Sequence, residues 1–402
     1  MTKAKRVLLF KLFLAAVAVL LFIVPDAITS PEIEQRVIAS VLGIDKTETG
    51  YSLTAQVVVP KRASEGDPTQ EVVTADGESI PEGIDKLNRA LGRNIELGHC
   101  GVIVVGNMPD TGDLDYLLAG SILTTGTYLV HAENASDFIE SVKSMSASAV
   151  TGLDGYINYS TASSSAATKQ LLQFVSETAS PSRTSYMPVL EADTGEGAPS
   201  DQGSGGAAAA AADGQSGGGG QSGGEEKTTT IKSAENTAIY VDGKFVGTFG
   251  EEETRGLAWI DRKSTRGYVG LEHFEAGGRD RGGVYAQLTR KSAKLKPYFK
   301  NGRPYVRFRI RAGLRLDDKH KLHLLAQELG ETEAVSAMEE AYAELIRSEI
   351  GAALIKAFEL GADPFGIRTA FNRYAYRDYA ACDKAAFAAD VVTEYDVRVH
   401  IG

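Results

Sequence analysis

The stretch PYVRFRIRAGLRL, residues 304–316, alternates apolar side chains with basic ones along most of its length. Successive side chains of a strand point to opposite faces, so this period of two predicts a strand with one buried and one exposed face. The predicted buried face comprises Val306, Phe308, Ile310, Ala312, Leu314 and Leu316. The opposite face carries Arg307, Arg309, Arg311 and Arg315.

These four arginines are a candidate interaction face. One interpretation is a strip that binds anionic headgroups or the acidic surface of a partner. The other is a solvent face whose arginines form salt bridges with neighbouring acids, since the chain contains 53 Asp and Glu residues. The sequence leaves both interpretations open.

Two further elements follow this strand. Between about 332 and 360 apolar residues recur with helical spacing, and Gly361 and Pro364 predict the end of that helix. The predicted apolar stripe comprises Val335, Met338, Tyr342, Leu345, Ile346, Ile350, Leu354 and Phe358. The chain closes on EYDVRVHIG, a second alternating strand, whose predicted inward residues are Tyr395, Val397, Val399 and Ile401.

The segment before this region predicts a hairpin. In AIYVDGKFVGTF, residues 238–249, an Asp-Gly pair stands between alternating apolar residues, which is a strong signal for a type I′ turn. We expect ETRGLAWID, residues 253–261, to form another strand. Strands, a long helix and a closing strand together predict a C-terminal α+β domain over 230–402.

The first half of the chain predicts a similar mixture. RVIASVLGID (36–45) and YSLTAQVVVP (51–60) indicate paired strands, and GVIVVG (101–106) an interior strand. IPEGIDKLNRALGR indicates a helix with Pro81 near its first position. This pattern predicts an N-terminal α+β domain over 31–194. We also expect a polar loop at 61–79 and helices at 113–125, 134–146 and 166–179.

A glycine-rich segment separates the two predicted domains. Residues 195–224 include twelve glycines in thirty positions, a composition typical of a flexible chain. We interpret 195–229 as a flexible Gly/Ala-rich linker. The predicted fold class is therefore α+β, with at least two mixed sheet-plus-helix units joined by this linker, behind an N-terminal membrane helix.

Residues 1–25 are predicted to be a signal or anchor segment. Residues 7–24 are apolar except for Lys11, and basic groups precede them. A spanning helix needs about 20 residues, and the basic cluster predicts a cytoplasmic N-terminus with the folded part outside. One interpretation is an uncleaved anchor, which the lack of a small-x-small cleavage site favours. The other is a secretory signal that is removed.

The sequence gives little support for catalysis. The formal charge of −11 argues against nucleic acid, which attracts basic surfaces. No nucleophile, P-loop or metalloprotease signature is present, so we expect no enzyme, cofactor or metal. Glu251–Glu253 could serve a hydrolase but are expected to be a solvated cluster. His320 and His323 could share a helical face but lack a third metal ligand, so a solvated pair is expected. Cys100 and Cys382 could form one disulfide or remain free thiols.

Several motifs, in this order, resemble the Ger(x)C family, the C subunits of spore-germination nutrient receptors. The first half carries VLGID, VVVP and GIDKLNRALGRNIELGHCGVIVVG. The second half carries TAIYVDGKFVGTFGEEETRGLAWI, then a long helix, ADPFGI and NRY. The motif positions, which we interpret as determining the fold and not as ligand contacts, are Gly43, Asp45, His99, Gly247, Glu253, Arg255, Gly256, Asp363 and Phe365.

This resemblance implies a function. Such proteins lie on the outer face of the spore inner membrane, assemble with two integral membrane subunits, and help convert nutrient recognition into germination; they are not known as enzymes. The sequence departs from the family in having no lipidation cysteine near position 25 and in its longer linker. The departures motivate an alternative, an exported solute- or surface-binding protein without a germination role. An exported hydrolase is a third hypothesis, and direct small-molecule binding is left open.

Overall fold

The structure is a computed structural model. It describes residues 36–59, 69–107, 110–119, 122–143, 152–163, 166–193, 230–232, 234–261, 263–317 and 319–402. The predicted anchor lies outside these ranges except for Lys11, Phe13, Leu14 and Val17, which are helical, and the predicted linker 195–229 also lies outside them. Within the part of the chain that is described, no helix is both long and apolar enough to cross a membrane.

The first unit is built on a seven-stranded sheet, in the order β3-β2-β1-β5-β6-β7, with β4 beside β1. Strands β1, β2 and β3 are antiparallel, while β5 and β6 run parallel to β1. Its strands are β1 (Arg36–Lys46), β2 (Tyr51–Val59), β3 (Thr69–Gly77), β4 (Asn94–Glu96), β5 (Val102–Val105), β6 (Tyr128–His131) and β7 (Lys169–Gln170). Its helices are α1 (Ile80–Leu91), α2 (Asp115–Ala119), α3 (Ala135–Val142), α4 (Gly152–Ala162) and α5 (Leu171–Thr178), with 3-10 turns at Leu97–His99 and Gly112–Leu114.

Short strands from both sides of the glycine-rich segment pair with each other. They are β8 (Thr184–Pro188), β9 (Glu191–Asp193), β10 (Thr230–Lys232), β11 (Thr237–Val241) and β12 (Lys244–Phe249). One sheet has the order β12-β11-β8, and another pairs β9 with β10. The first and second units are therefore connected by backbone hydrogen bonds and not only by a covalent link.

The second unit packs a long helix on a four-stranded sheet of order β13-β16-β17-β18. Its strands are β13 (Tyr268–Leu271), β14 (Glu275–Ala276), β15 (Arg279–Asp280), β16 (Val284–Lys300), β17 (Arg303–Leu316) and β18 (Val392–Ile401). Its helices are α6 (Glu251–Ala258), α7 (Lys319–Leu329), α8 (Glu331–Glu359), α9 (Ile367–Tyr374), α10 (Tyr376–Ala381) and α11 (Phe387–Asp390). The α+β class with two sheet-plus-helix units is thus confirmed.

The strongest periodic patterns folded as predicted. All six apolar residues of the inner face of β17 are at most 4% exposed. At the predicted type I′ turn, Asp242 has a φ of 53° and Gly243 a φ of 78°. Helix α1 begins after Ser79, whose side chain accepts from the Glu82 N–H, and ends at Gly92 in the left-handed region. Local turn and cap chemistry therefore fixed these boundaries.

Four expectations were wrong. Residues 253–261 are mainly helix α6 and not a strand, because three acids and a buried face at Leu257 and Ala258 suit a helix N-terminus packed on α8. Part of the predicted loop, 69–77, is the edge strand β3. The helices expected at 113–125 and 166–179 are shorter, as α2 and α5 show, whereas α3 lies within the expected 134–146, of which 144–146 are outside the described residues. Phe358, placed in the core stripe, is 61% exposed because small alanines form that face of α8 instead.

Candidate functional site

The family motif at the end of β1 fixes helix α3 to the sheet. Asp45 Oδ1 accepts from the backbone N–H of Asn107 at 3.1 Å and of Ala135 at 2.9 Å, and Oδ2 accepts from Ser136 at 3.1 Å. A carboxylate at a helix N-terminus satisfies N–H groups that have no partner within the helix. At Gly43, a Cβ would lie 2.7 Å from Ile139 Cδ1 of that helix. Asp45 and Gly43 therefore hold the fold of the first unit.

A second motif attaches α6 to α8 through a buried carboxylate. Glu349 is 2% exposed and accepts from Trp259 Nε1 at 2.6 Å and from Arg255 Nε at 2.8 Å. Arg255 also pairs with Glu251. At Gly256 a Cβ would lie 2.1 Å from the Glu349 carbonyl oxygen, so only glycine permits the observed approach of the helices.

Burial controls the protonation of this site. Desolvation raises the pKa of Glu349, while the hydrogen bonds from Trp259 and Arg255 oppose that rise. Glu349 is nevertheless poorly placed to act as a catalytic acid or base. Both carboxylate oxygens already accept hydrogen bonds from protein donors, so neither is presented to a substrate.

Asp363, in the ADPFGI motif, connects the two halves of the chain. Its Oδ2 accepts from Ser182 Oγ at 2.7 Å and from the Arg368 N–H at 2.7 Å, and its Oδ1 accepts from the Ile367 N–H at 2.8 Å. Its own N–H donates to Thr184 Oγ1 at 2.9 Å. Burial raises the pKa of Asp363, although the Arg368 N–H and Ser182 hydroxyl bonds favour its ionised form.

Ser182 extends the same connection. Its Oγ accepts from the Thr369 N–H at 3.0 Å, and its backbone N–H donates to Thr369 Oγ1 at 3.2 Å. The segment before β8 is thereby joined to the first turn of α9. We call Ser182, Thr184, Asp363 and Thr369 the Asp363 cluster.

A groove of about 350 Å³ opens beside this cluster, between the end of α8, the ADPFGI loop and α11. Its lining is mainly apolar, with Asp363 and Arg368 as its charged members. Phe365, 9% exposed, supports its floor by packing edge-to-face on Phe308 at 5.6 Å between ring centroids. We call this feature the α8 groove. Its main lining residues are Leu354, Phe358, Ala362, Ile367, Phe387 and Val391.

The predicted arginine face lies on the solvent side of β17. Arg307 pairs with Glu394 at 2.7 Å, and Arg309 and Arg311 pair with Asp396 at 3.1 Å and 2.9 Å. Arg315 instead hydrogen-bonds Gln287. Both acids belong to the parallel neighbour β18. The strip is thus partly neutralised by salt bridges, as the second interpretation proposed, and whether it binds a partner remains a prediction.

Three remaining motif positions lie in a 3-10 turn, in a strand and in the first turn of a helix. His99 is exposed at the end of the 3-10 turn Leu97–His99. Gly247 lies in β12 with a φ of 151°, facing Leu360. Glu253 is in the first turn of α6. None of these residues lines the α8 groove, whereas Asp363 and Phe365 do.

In the part of the chain that is described, the candidate chemical groups lie on separate elements: Glu251–Glu253 on α6, the two histidines on α7, and the cysteines in different units. His323 Nε2 lies 3.0 Å from Gln327 Nε2 on α7, and the described residues include no group of three or more metal-ligating side chains. Cys100 and Cys382 are free thiols, so the disulfide alternative is wrong. Burial raises the pKa of Cys100 to about 12, which keeps it an unreactive thiol.

Sequence reasoning missed Glu349, Ser182 and Lys291. A glutamate within an otherwise apolar helical stripe was the available signal for Glu349. Lys291 is directed inward from β16, and its Nζ donates to the Ala258 carbonyl at 2.6 Å. Burial lowers the pKa of Lys291 to about 7, although nearby Asp261 opposes the shift. Strand β16 was not predicted, so nothing indicated which way this lysine points.

The fold and these contacts define a two-part α+β protein whose motif residues hold its helices and its two halves together and line a groove. Two family models match it: the spore germination protein N-terminal domain over 29–192, and the spore germination B3/GerAC-like C-terminal domain over 235–402. The chain therefore belongs to the Ger(x)C family of spore germination proteins, the C subunits of germinant receptors.

Two known proteins match this chain along most of their length. Spore germination protein KC of Bacillus subtilis (strain 168) is 21% identical over 328 residues, which cover 76% of this chain and 73% of that protein. The crystal structure of the GerBC protein is 14% identical, covers 90% of this chain and 96% of its own, and gives a TM-score of 0.46.

Proposed function

We propose that this chain is a membrane-tethered, extracytoplasmic C subunit of a spore germinant receptor, which helps couple nutrient sensing to germination. The observation that carries the proposal is the match of both halves to germination-family models. The apolar run 7–24 behind basic residues supports a tether. In this proposal the partners are integral membrane subunits of the receptor.

The proposed role is structural and not enzymatic. Two acids of the family motifs, Asp45 and Asp363, accept hydrogen bonds from backbone or side-chain donors. Glu349, the partner of the motif residue Arg255, does so as well. A catalytic acid or base needs a hydrogen-bonding position left open for the substrate. These groups instead hold helices and the two halves of the chain in fixed positions.

The α8 groove is the proposed contact for an integral membrane subunit. Ile355 and Phe358, on the last turns of α8, are 65% and 61% exposed, and Phe358 lines the groove. Exposed apolar groups beside an apolar groove are typical of protein contact sites. Asp363 both lines the groove and belongs to the Asp363 cluster, so a partner bound there would contact the connection between the two halves.

Purification from spores tests this proposal. Tagged full-length protein would be isolated from detergent-solubilised spore membranes, with and without Phe358→Arg. We expect wild type to bring integral membrane subunits with it and the variant to bring much less. Leu324→Arg on α7, where leucine is 45% exposed, is the matched control and should behave as wild type.

Two results would contradict the proposal. Nutrient germination that is unchanged after deletion of the gene would remove the receptor role. Equal recovery of partners by Phe358→Arg and wild type would retain that role but exclude the groove as the contact. The melting temperature of both variants shows whether either substitution merely unfolds the protein.

A second candidate function is small-molecule binding, as in the exported solute-binding alternative. The groove volume of about 350 Å³ favours it, because ligand pockets begin near about 300 Å³. Calorimetry of the full-length protein in detergent against amino acids, sugars and nucleosides tests it. Heat that disappears in Phe358→Arg would support a nutrient pocket, and the absence of heat for every compound would exclude one among these classes.

A further inference from the structure

The outer face of the second sheet is strongly cationic. The strand register places ten basic side chains on the solvent side of β16, β17 and β18, and only two acidic ones, Glu394 and Asp396. We call this surface the cationic face. Its basic members are Arg290, Lys294, Lys296, Lys300, Arg303, Arg307, Arg309, Arg311, Arg315 and Arg398.

The positive charge of this face contrasts with the net negative charge of the chain. The whole chain has a formal charge of −11, so the remaining surface is strongly acidic. Directly opposed pairs such as Lys294 with Arg309 and Lys296 with Arg307 place like charges across neighbouring strands. Such pairs destabilise a sheet unless something neutralises them. The arginine of each pair meets an acid of β18, so the lysine is the charge that has no counterion within the sheet.

Glu394 and Asp396 form ion pairs with only some of the basic residues of the cationic face. They pair with Arg307, Arg309 and Arg311, and Asp396 also lies 3.5 Å from Arg398. Among the described residues, no carboxylate lies within ion-pair distance of the basic residues of the cationic face on β16 or at the hairpin turn. These unpaired cations are Arg290, Lys294, Lys296, Lys300 and Arg303, and all are exposed.

The shape of the face distinguishes between possible ligands. It is a long antiparallel hairpin beside a parallel strand, and its basic residues are spread along about 40 Å of strand β17. At the hairpin end, Tyr298 and Tyr305 stack at 5.4 Å between centroids, close to Lys300 and Arg303. Tyrosine beside basic groups is typical of side chains at a membrane–water interface.

We propose that the cationic face docks on a membrane surface rich in anionic phospholipid headgroups. The inference rests on the proposed membrane tether, which would keep the face close to a bilayer. A broad array of flexible basic side chains suits a fluid layer of phosphates, since each lysine can contact a headgroup independently of the others. The face would then fix the orientation of the second unit, and with it the α8 groove, relative to the membrane.

The test measures the distance of this face from lipid headgroups. The full-length protein carries the substitutions Cys382→Ser and Ser292→Cys. Position 292 is at the centre of the face and is labelled with a fluorophore. The labelled protein is reconstituted into phosphatidylcholine vesicles, or vesicles with about a third phosphatidylglycerol, each containing nitroxide-headgroup lipid. Glu340→Cys, which is on the solvent side of α8, provides the control probe; Glu340 is 70% exposed.

We expect quenching at position 292 to rise at least twofold with phosphatidylglycerol and to fall again at high salt, because screening weakens the attraction. Quenching at position 340 should not change. Equal quenching at 292 in both kinds of vesicle would overturn the inference. Quenching that rises only after the integral receptor subunits are added would overturn it as well, in favour of an acidic protein partner.

Flotation separates this inference from the proposed tether. If the protein floats with both kinds of vesicle but quenching at position 292 does not depend on the lipid, the tether is supported and docking through the cationic face is refuted. Flotation only with the vesicles that contain phosphatidylglycerol would refute the tether and support docking through the cationic face.

A charge variant completes the test. Lys294→Gln, Lys296→Gln and Lys300→Gln together should abolish the rise in quenching, because they remove three unpaired cations. The matched control, Lys86→Gln, Lys143→Gln and Lys356→Gln, removes the same charge from other surfaces and should leave the rise intact. Loss of the rise in both triple variants would contradict a role for this face.

Discussion

The indole Nε1 of Trp259 donates a hydrogen bond to Glu349 Oε2 at 2.6 Å, across a helix interface in which this glutamate is 2% exposed. Arg255 occupies the other oxygen at 2.8 Å. All three residues belong to one unit, yet Glu349 lies 90 positions from Trp259 and 94 from Arg255 in the sequence. The family motif around Arg255 and Trp259 is therefore explained by a partner that the motif itself does not contain.

We expect Glu349→Gln to lower the free energy of unfolding by about 1 to 3 kcal/mol, because the amide can satisfy only one of the two donors. Urea unfolding measures the change. Glu344→Gln on the same helix is the control: Glu344 is 70% exposed, and its loss should cost less than about 0.5 kcal/mol. Equal small effects in the two variants would show that the buried network contributes little.

A pair of glycine substitutions tests the close approach of α6 and α8. Gly256→Ala places a Cβ 2.1 Å from the Glu349 carbonyl oxygen, so we expect a loss of about 3 kcal/mol or more. Gly351→Ala, on α8, meets nothing closer than 3.9 Å and should stabilise the helix by about 0.5 to 1 kcal/mol. Thermal unfolding would contradict this packing if both variants shifted in the same direction.

The sequence predicted elements whose periodicity is local. Strand β17, helix α8 and the Asp242-Gly243 turn follow from neighbouring residues alone, and all three are present. The strand predicted at 253–261 was wrong because its apolar residues also fit a helix, and only contact with α8 decides between the two. Strand β16 was missed because its basic outer residues and its proline conceal the alternation.

The candidate site was less predictable than the fold. Sequence motifs identified Asp363 and Phe365, but the groove that they line depends on helix α11 and on the exposed end of α8. The arginines of β17 were identified, whereas the lysines that complete the cationic face lie on β16. Long-range pairing brings these residues together, and a single sequence does not encode that register in any local pattern.

A double-mutant cycle tests the connection between the two halves. Ser182→Ala should cost about 1 to 2 kcal/mol and Asp363→Asn about 2 to 4 kcal/mol, because each leaves buried donors or acceptors unsatisfied. The residues share one hydrogen bond, so the double variant should lose at least about 0.5 kcal/mol less than the two losses together. Strict additivity in urea unfolding would contradict a coupled Asp363 cluster.

Lys291 predicts a pH dependence. The pKa of Lys291 is lowered to about 7 in the folded protein. At pH values between this pKa and the ordinary, higher pKa of lysine in the unfolded chain, the unfolded chain therefore binds more protons than the folded protein. Stability contributed by this group therefore rises with pH across that window and is lost as pH falls through about 7. Relative to Lys291→Met, wild type should gain about 1 kcal/mol per pH unit between about pH 7 and 10. Parallel stability curves would refute the burial of this charge.

The most direct test of the central claim is isolation of the tagged full-length protein from detergent-solubilised spore membranes. Mass spectrometry would identify the proteins that accompany it and give the mass of its N-terminal segment. We expect recovery of integral membrane receptor subunits together with a chain that retains residues 1–25. Recovery of a cleaved, soluble chain without membrane partners would contradict it and favour an exported binding protein.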